Sequence, residues 1–88
     1  MSGTAKYEVR IKASAEKELD ALPANVAARV VRAMLSLERD PRRPGCKKLK
    51  GYGGYRCRVG NYRILYFIDD AARVVEIAAV AHRKDAYR

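Results

Sequence analysis

Eighty-eight residues are enough for one small domain and leave no room for a second core. Apolar residues make up 49% of the chain, which suits a packed globule and argues against a disordered tail. A formal net charge of +9 exceeds what solubility asks of a small domain and points to a polyanion or an acidic protein as partner.

Met1 to Arg10, MSGTAKYEVR, lacks a signal-peptide core, and no apolar run approaches membrane-spanning length, so the expected compartment is the cytoplasm. Tyr7 to Ile11 alternates enough for a short strand at a sheet edge. Ser14 has the chemistry of an N-cap for a helix through Leu22, with Glu16 and Glu18 near its positive end. Ala15, Leu19 and Leu22 recur at helical spacing, and Pro23 stops that helix or opens the next. A second helix is predicted from about Asn25 to Arg39. Its row Val26, Val30, Met34 and Leu37, with Ala27, Val31 and Leu35 beside it, is expected to be core. Together the two helices predict a helical hairpin laid on a sheet.

Asp40 to Gly45 reads as a loop on its proline and glycine content, followed by Lys47, Lys48, Leu49 and Lys50 and the flexible Gly51–Gly54 stretch. Arg39, Arg42, Arg43, Lys47, Lys48, Lys50, Arg56, Arg58 and Arg63 face Asp40 alone, so charge is concentrated in this part of the chain. Cys46 and Cys57 match no metal or redox spacing and are too few for a disulfide scaffold; reduced structural cysteines are expected.

The last third predicts three consecutive antiparallel strands. Gly60-Asn61 between alternating segments reads as a two-residue hairpin loop. That loop sets the register: Val59 faces Tyr62, Arg58 faces Arg63, Cys57 faces Ile64 and Arg56 faces Leu65. Arg56, Arg58 and Arg63 then share one face. Like charges directly opposite destabilise a strand pair, and such local costs gather at functional sites. Asp69 to Arg73 is a polar turn, and Val74 to Ala81 returns beside Tyr62–Ile68. Arg83 reaches the same end of the sheet; odd-with-odd pairing across that turn, the register expected, brings it to the face of Arg58 and Arg63, and a one-residue slip takes it away. The same alternation sets Tyr62, Ile64, Tyr66, Ile68, Val74, Ala78 and Val80 under the helices, and leaves Leu65, Phe67, Val75 and Ile77 on the opposite face in need of cover. The expected fold is α+β, in the order β-α-α-β-β-β: an antiparallel sheet with an N-terminal helical hairpin packed on one face.

The acidic residues form no paired-carboxylate or metal motif, and Gly51–Gly54 precedes a strand rather than a helix, unlike a phosphate-binding loop. With a single histidine, His82, no nucleophilic triad is visible; His82 either packs at the strand end, faces water or takes part in chemistry. Converging arginines with a tyrosine can bind phosphates and stabilise charge on phosphorus. RNA supplies its own nucleophile, the 2′-hydroxyl, and positive neighbours favour the phenolate of Tyr87, which could take the 2′ proton, while its ring could stack on a nucleobase. Read from the residues alone, an exposed, solvated arginine hairpin with a frayed terminal tyrosine stands equally open.

The run YRCRVGNYRILYFIDD together with VVEIAAVAHRKDAYR resembles the RelE branch of the RelE/ParE toxin superfamily of bacterial toxin–antitoxin systems. The specific parts are G-x-Y-R-[IL]-x-Y and H-R-x-D-x-Y-R, and the likeness extends over nearly the whole chain. The resemblance implies a RelE/ParE-like fold and a cytoplasmic toxin that cuts messenger RNA in the ribosomal A site without metal or cofactor, leaving a 2′,3′-cyclic phosphate and a 5′-hydroxyl. It assigns the basic strand pair to Arg56 and Arg58, the arginine of Y-R-[IL] to Arg63, transition-state stabilisation to Arg83, and 2′-hydroxyl activation or base stacking to Tyr87. The strand pair is often lysine in the family; arginine keeps the charge but weakens a neutral amine's role as proton carrier. Lys47, Lys48 and Lys50, joined by Arg42 and Arg43, would grip ribosomal or messenger RNA. The resemblance also implies an acidic antitoxin partner, docking on Leu65, Phe67, Val75 and Ile77, and operator DNA bound only through that antitoxin. Two other functions remain open: a ParE-like gyrase inhibitor that cuts nothing, and a basic nucleic-acid-binding module.

Overall fold

The computed structural model describes residues 6–51 and 53–82. These form, in order, β1 (Glu8–Ile11), α1 (Ala13–Asp20), α2 (Ala24–Ser36), β2 (Cys46–Lys48), β3 (Tyr55–Val59), β4 (Tyr62–Asp69) and β5 (Val74–His82). The sheet order is β1-β5-β4-β3-β2, with both helices on one face. The expected α+β architecture is therefore present, with two additions. β2 extends the sheet beyond β3, pairing Cys46 with Cys57 and Lys48 with Tyr55 in a lysine-rich segment where no strand was expected. β1 lies at the expected edge but runs parallel to β5, with Val9 beside Val75 and Ile11 beside Ile77, so the sheet is antiparallel in four strands and parallel at one edge.

The junctions explain where the helices differ from expectation. Lys12 N–H donates to Ile77 O at 3.0 Å, continuing the β1–β5 ladder one residue past the strand. That bond makes Lys12 the N-cap of α1, in extended conformation, and Ser14 falls inside the first turn instead of capping it. Pro23, also extended, caps α2, and its carbonyl accepts from Ala27 N–H at 2.8 Å. α2 ends at Ser36 rather than near Arg39, because the chain tightens into i→i−3 bonds at Leu37 and Glu38. Glu38 O then accepts from Tyr7 N–H at 2.8 Å, tying the end of the helical hairpin to the start of β1.

The core lies between the helices and the sheet. Ala15, Val30, Met34 and Leu37 meet Cys57, Ile64, Tyr66, Val75, Ile77 and Val80, with Leu19, Leu22 and Val26 packed around them. The row Val30–Met34–Leu37 is core as its spacing predicts; the neighbouring row is not, since Val31 is 38% and Leu35 54% exposed. One apolar stripe suffices to seat α2, and the adjacent one is turned toward solvent.

The β3–β4 register matches the sequence expectation at every pair from Arg56–Leu65 to Val59–Tyr62. Gly60 supplies the positive φ (58°) that the tight loop requires at its first position. Between β4 and β5 the odd-with-odd pairing holds for Arg63–Ala81 and Leu65–Ala79, then a bulge intervenes: Tyr66 pairs with Ile77 and Ile68 with Val75. The unpaired Ala78 rotates the rest of β5 by one residue. Val75 and Ile77 are consequently fully buried under the helices, not on the open face, and Val74 and Ala78 leave the core positions expected of them. Beyond Ile11 no described strand lies beside that edge of β5, and Glu18 Oε1 of α1 accepts from Val80 N–H at 2.9 Å.

A polar staple closes the end of the sheet away from the hairpin. Arg42 donates to Asp70 through both terminal nitrogens (2.8 and 3.1 Å) and through Nε to Tyr55 O–H (3.0 Å), while Tyr7 O–H donates to Asp70 at 2.6 Å. The Arg42 guanidinium, and secondarily the Tyr7 hydroxyl, hold the Asp70 carboxyl down from 3.8 to about 2. Because the folded value lies below the unfolded one, this contribution to stability is full above about pH 4 and disappears as pH falls toward 2. Chemical denaturation of wild type and Asp70→Asn across that interval should show a stability gap that is constant above pH 4 and closes toward pH 2; a pH-independent gap would contradict the staple.

Candidate nucleic-acid interface

Three arginines of the hairpin stand on one face of β3 and β4. Arg58 and Arg63 are direct cross-strand partners, and Arg56 follows two residues along β3, opposite Leu65. Lys47 pairs with Arg56, so β2 adds a fourth cation to this face, while Lys48 pairs with Tyr55 and stands on the other. Exposure differs sharply along the row. Arg58 is exposed, Arg56 half-buried, and Arg63 only 7% exposed. Arg63 sits between Arg58 and the small Ala81, and a guanidinium so shielded interacts with an anion more strongly than one in bulk water. Lys47, Lys48 and Lys50 are all exposed.

The remaining predicted residues divide. Arg42 is engaged by Asp70 and lies over the Tyr55 ring at 5.4 Å, at the opposite end of the sheet from the arginine row. Arg43 points its Nη2 at Cys57 Sγ, 3.3 Å away. Arg83 and Tyr87 lie outside the described residues. His82 pairs with Tyr62 and meets its ring edge-on at 5.2 Å, a packed cross-strand contact. Both cysteines are free and directly opposed across β2 and β3; burial above all pushes the Cys57 thiol up, which keeps it unreactive. Among the described residues no three His, Cys, Asp or Glu side chains gather as metal ligands do. No helix among them is long and apolar enough to cross a membrane.

Sequence reasoning passed over Arg29 and Arg32. Both are exposed on α2, and with Arg43 and Arg58 they line a cleft of about 400 Å³ between that helix and the β3–β4 hairpin. The available signal was their i,i+3 spacing, which sets two cations on one side of the helix. That they face the hairpin follows only from how α2 crosses the sheet. Of the apolar residues expected to need cover, Leu65 is half-buried and Phe67 41% exposed on the open side.

Residues 9–87 match the family described as the ParE toxin of the type II toxin–antitoxin system parDE. Two toxins of Mycobacterium tuberculosis are similar over almost their whole length. Toxin RelG is 40% identical over 84 residues, covering 93% of this chain and 97% of its own. Toxin RelE is 38% identical over 91 residues, covering 100% and 93%. Among solved structures, the toxin–antitoxin complex RelBE2 from M. tuberculosis superposes with a TM-score of 0.81 at 38% identity, over 97% of this chain and 100% of that one. The RelE–RelB complex of Pyrococcus horikoshii gives 0.80 at 30% identity, over 91% and 98%. With the arginine hairpin, the helical pair and the strand order all accounted for, this chain belongs to the RelE/ParE superfamily of type II toxins, as a RelE-type member.

Proposed function

We propose that this toxin is an endoribonuclease that cuts messenger RNA in the ribosomal A site and thereby stops translation. The observation that carries the reading is the register of Arg58 directly across from Arg63, with Arg56 on the same face. Facing guanidinium groups repel each other in the free protein, and a phosphate lying across them turns that cost into binding. In the reaction the 2′ oxygen attacks the adjacent phosphorus and the bond to the 5′ oxygen breaks. The 2′ proton passes to a base and the departing 5′ oxygen gains a proton, which leaves a 2′,3′-cyclic phosphate and a 5′-hydroxyl and requires no redox partner. Arg58 and Arg63 stabilise the extra negative charge on the phosphoryl oxygens, and Arg56 extends the cradle. Family likeness adds Arg83 to that stabilisation and gives Tyr87 the 2′ proton or a stacking base. Lys47, Lys48 and Lys50 hold RNA backbone.

An acidic antitoxin keeps such a toxin silent, and its operator binding would involve this chain only indirectly. The RelB-bound neighbours support that partner class. Leu65 and Phe67 remain as apolar docking points. Val75 and Ile77 do not, being buried. The cytoplasm, where ribosomes are, is the matching compartment.

The test is incubation with programmed ribosomes and mapping of mRNA 5′ ends. Wild type should produce discrete new 5′-hydroxyl ends. Arg83→Ala and Tyr87→Phe should each lose about 10²–10³-fold in cleavage while ribosome binding persists. Intact mRNA across all codons would remove the enzymatic reading. The ParE description of the matched family favours one alternative, a gyrase-binding toxin without catalysis. It would show itself as gyrase-dependent DNA damage with mRNA whole. For a plain nucleic-acid-binding module, Arg83→Ala would weaken affinity and nothing else.

A further inference from the structure

The cleft between α2 and the hairpin is lined by Arg29, Arg32, Arg43 and Arg58 together with Ser36 and Gly60, and no carboxylate is among its lining residues that the structure describes. None of the four arginines makes an ion pair with a described residue. Arg43 Nε is buried and has no hydrogen-bond partner among the described residues, a state that ordinarily costs stability unless something else satisfies it. Arg29 is drawn onto the hairpin itself: a Cβ at Gly60 would lie 3.3 Å from its Nη2 and 3.4 Å from its Nη1. The tip of the Arg29 guanidinium thus reaches the turn of the hairpin. Four like charges converge on a concavity of about 400 Å³, a volume suited to a nucleotide-sized group.

We propose that this cleft is a second RNA-backbone subsite, in which Arg29, Arg32 and Arg43 hold phosphodiester groups of the strand whose neighbouring segment crosses Arg58 and Arg63. It rests on the reading that the toxin acts on RNA, and adds to it a set of interactions away from the scissile bond. Arg58 supplies the continuity, since it lines the cleft and also faces Arg63 across the hairpin. At this end β2 gives way to the loop that carries Arg43, since the β2–β3 ladder begins only at the Cys46–Cys57 pair. Guanidinium forks suit phosphate oxygens and are weakly hydrated, so little is lost in desolvating them. A carboxylate-bearing protein segment would meet the same charges. A chain of evenly spaced phosphates favours RNA here, because the cations continue without interruption from the cleft onto the sheet face.

The experiment uses the full chain and a fluorescent 2′-O-methyl RNA oligonucleotide, which binds but cannot be cut, titrated over a range of KCl concentrations. Arg29→Gln/Arg32→Gln should lower the magnitude of the slope of log K against log salt by about 1.4, roughly 0.7 for each phosphate left without its cation. Affinity at low salt should fall at least about tenfold. Arg29→Lys/Arg32→Lys, which keeps the charge, should retain most of the slope, and both positions are exposed enough for the variants to fold. An unchanged slope in the Gln pair overturns the proposal, as does wild type that fails to bind the oligonucleotide. Loss of binding to a poly-aspartate peptide with the RNA slope intact overturns it too, by assigning the cleft to protein carboxylates. Parallel ribosome assays separate the two ideas. Wild type that leaves mRNA whole yet shows the Arg29/Arg32-dependent slope sinks the ribonuclease reading and keeps the cleft. Cleavage with an unchanged slope does the reverse.

Discussion

Arg63→Gln should reduce mRNA cleavage by about 10²–10³-fold, the loss typical of deleting one preorganised donor to developing negative charge. The effect is expected to be large because Arg63 is only 7% exposed, so water screens its charge far less than that of exposed Arg58. Arg63→Lys keeps the cation but loses the planar fork, and should fall between wild type and Gln. Stability separates this from a folding defect. Removing one of two facing cations relieves repulsion across the Arg58–Arg63 pair, so thermal unfolding of Arg63→Gln should not collapse alongside activity. A folded Gln variant that still cuts at the wild-type rate would take Arg63 out of the scission site.

The largest expected stability change belongs to Tyr66. Its side chain is fully buried and stacked on Tyr55 with ring centroids 5.8 Å apart, and its hydroxyl donates to Pro41 O at 2.6 Å. Burial, above all, raises its hydroxyl far beyond the usual phenol range, so it stays a neutral donor at any physiological pH. Tyr66→Ala should cost about 3–5 kcal/mol, by analogy with other aromatic truncations in cores. At roughly 4–8 °C per kcal/mol for a domain of this size, the melting temperature should drop by tens of degrees. Tyr66→Phe keeps the ring and strands the Pro41 carbonyl, and should cost about 1–3 kcal/mol. Calorimetry on the two variants apportions the loss between ring and hydroxyl. A Tyr66→Phe variant as stable as wild type would show that the Pro41 bond contributes nothing net.

What was legible in the sequence, and what was not, follows the range of the interactions involved. A two-residue loop admits one register, so Gly60-Asn61 sufficed to align Arg58 with Arg63 and to bring Arg56 onto their face. The helical spacing of Val30, Met34 and Leu37 likewise sufficed to mark the buried stripe of α2. The bulge at Ala78 is set by pairing across the sheet and not by the turn; its one local sign was Glu76, exposed between Val74 and Ala78, which unbroken alternation would have placed under the helices. Its consequence, the burial of Val75 and Ile77, reverses their expected role in docking a partner. Ser14 shows the same limit on a smaller scale. Its capping chemistry was overruled by a ladder bond from Lys12 to Ile77, far along the chain.

Periods of two and 3.6 residues and one obligatory tight turn are properties of neighbouring residues, and the amino-acid order alone determined them: the helical pair, the hairpin and its row of arginines. Parallel pairing of β1 with β5, the lysine strand β2, the engagement of Arg42 by Asp70 and the meeting of Arg29 with Gly60 were decided only in the tertiary structure. Each joins segments distant in sequence, and its energy depends on what the packed core brings within reach, which no local pattern encodes.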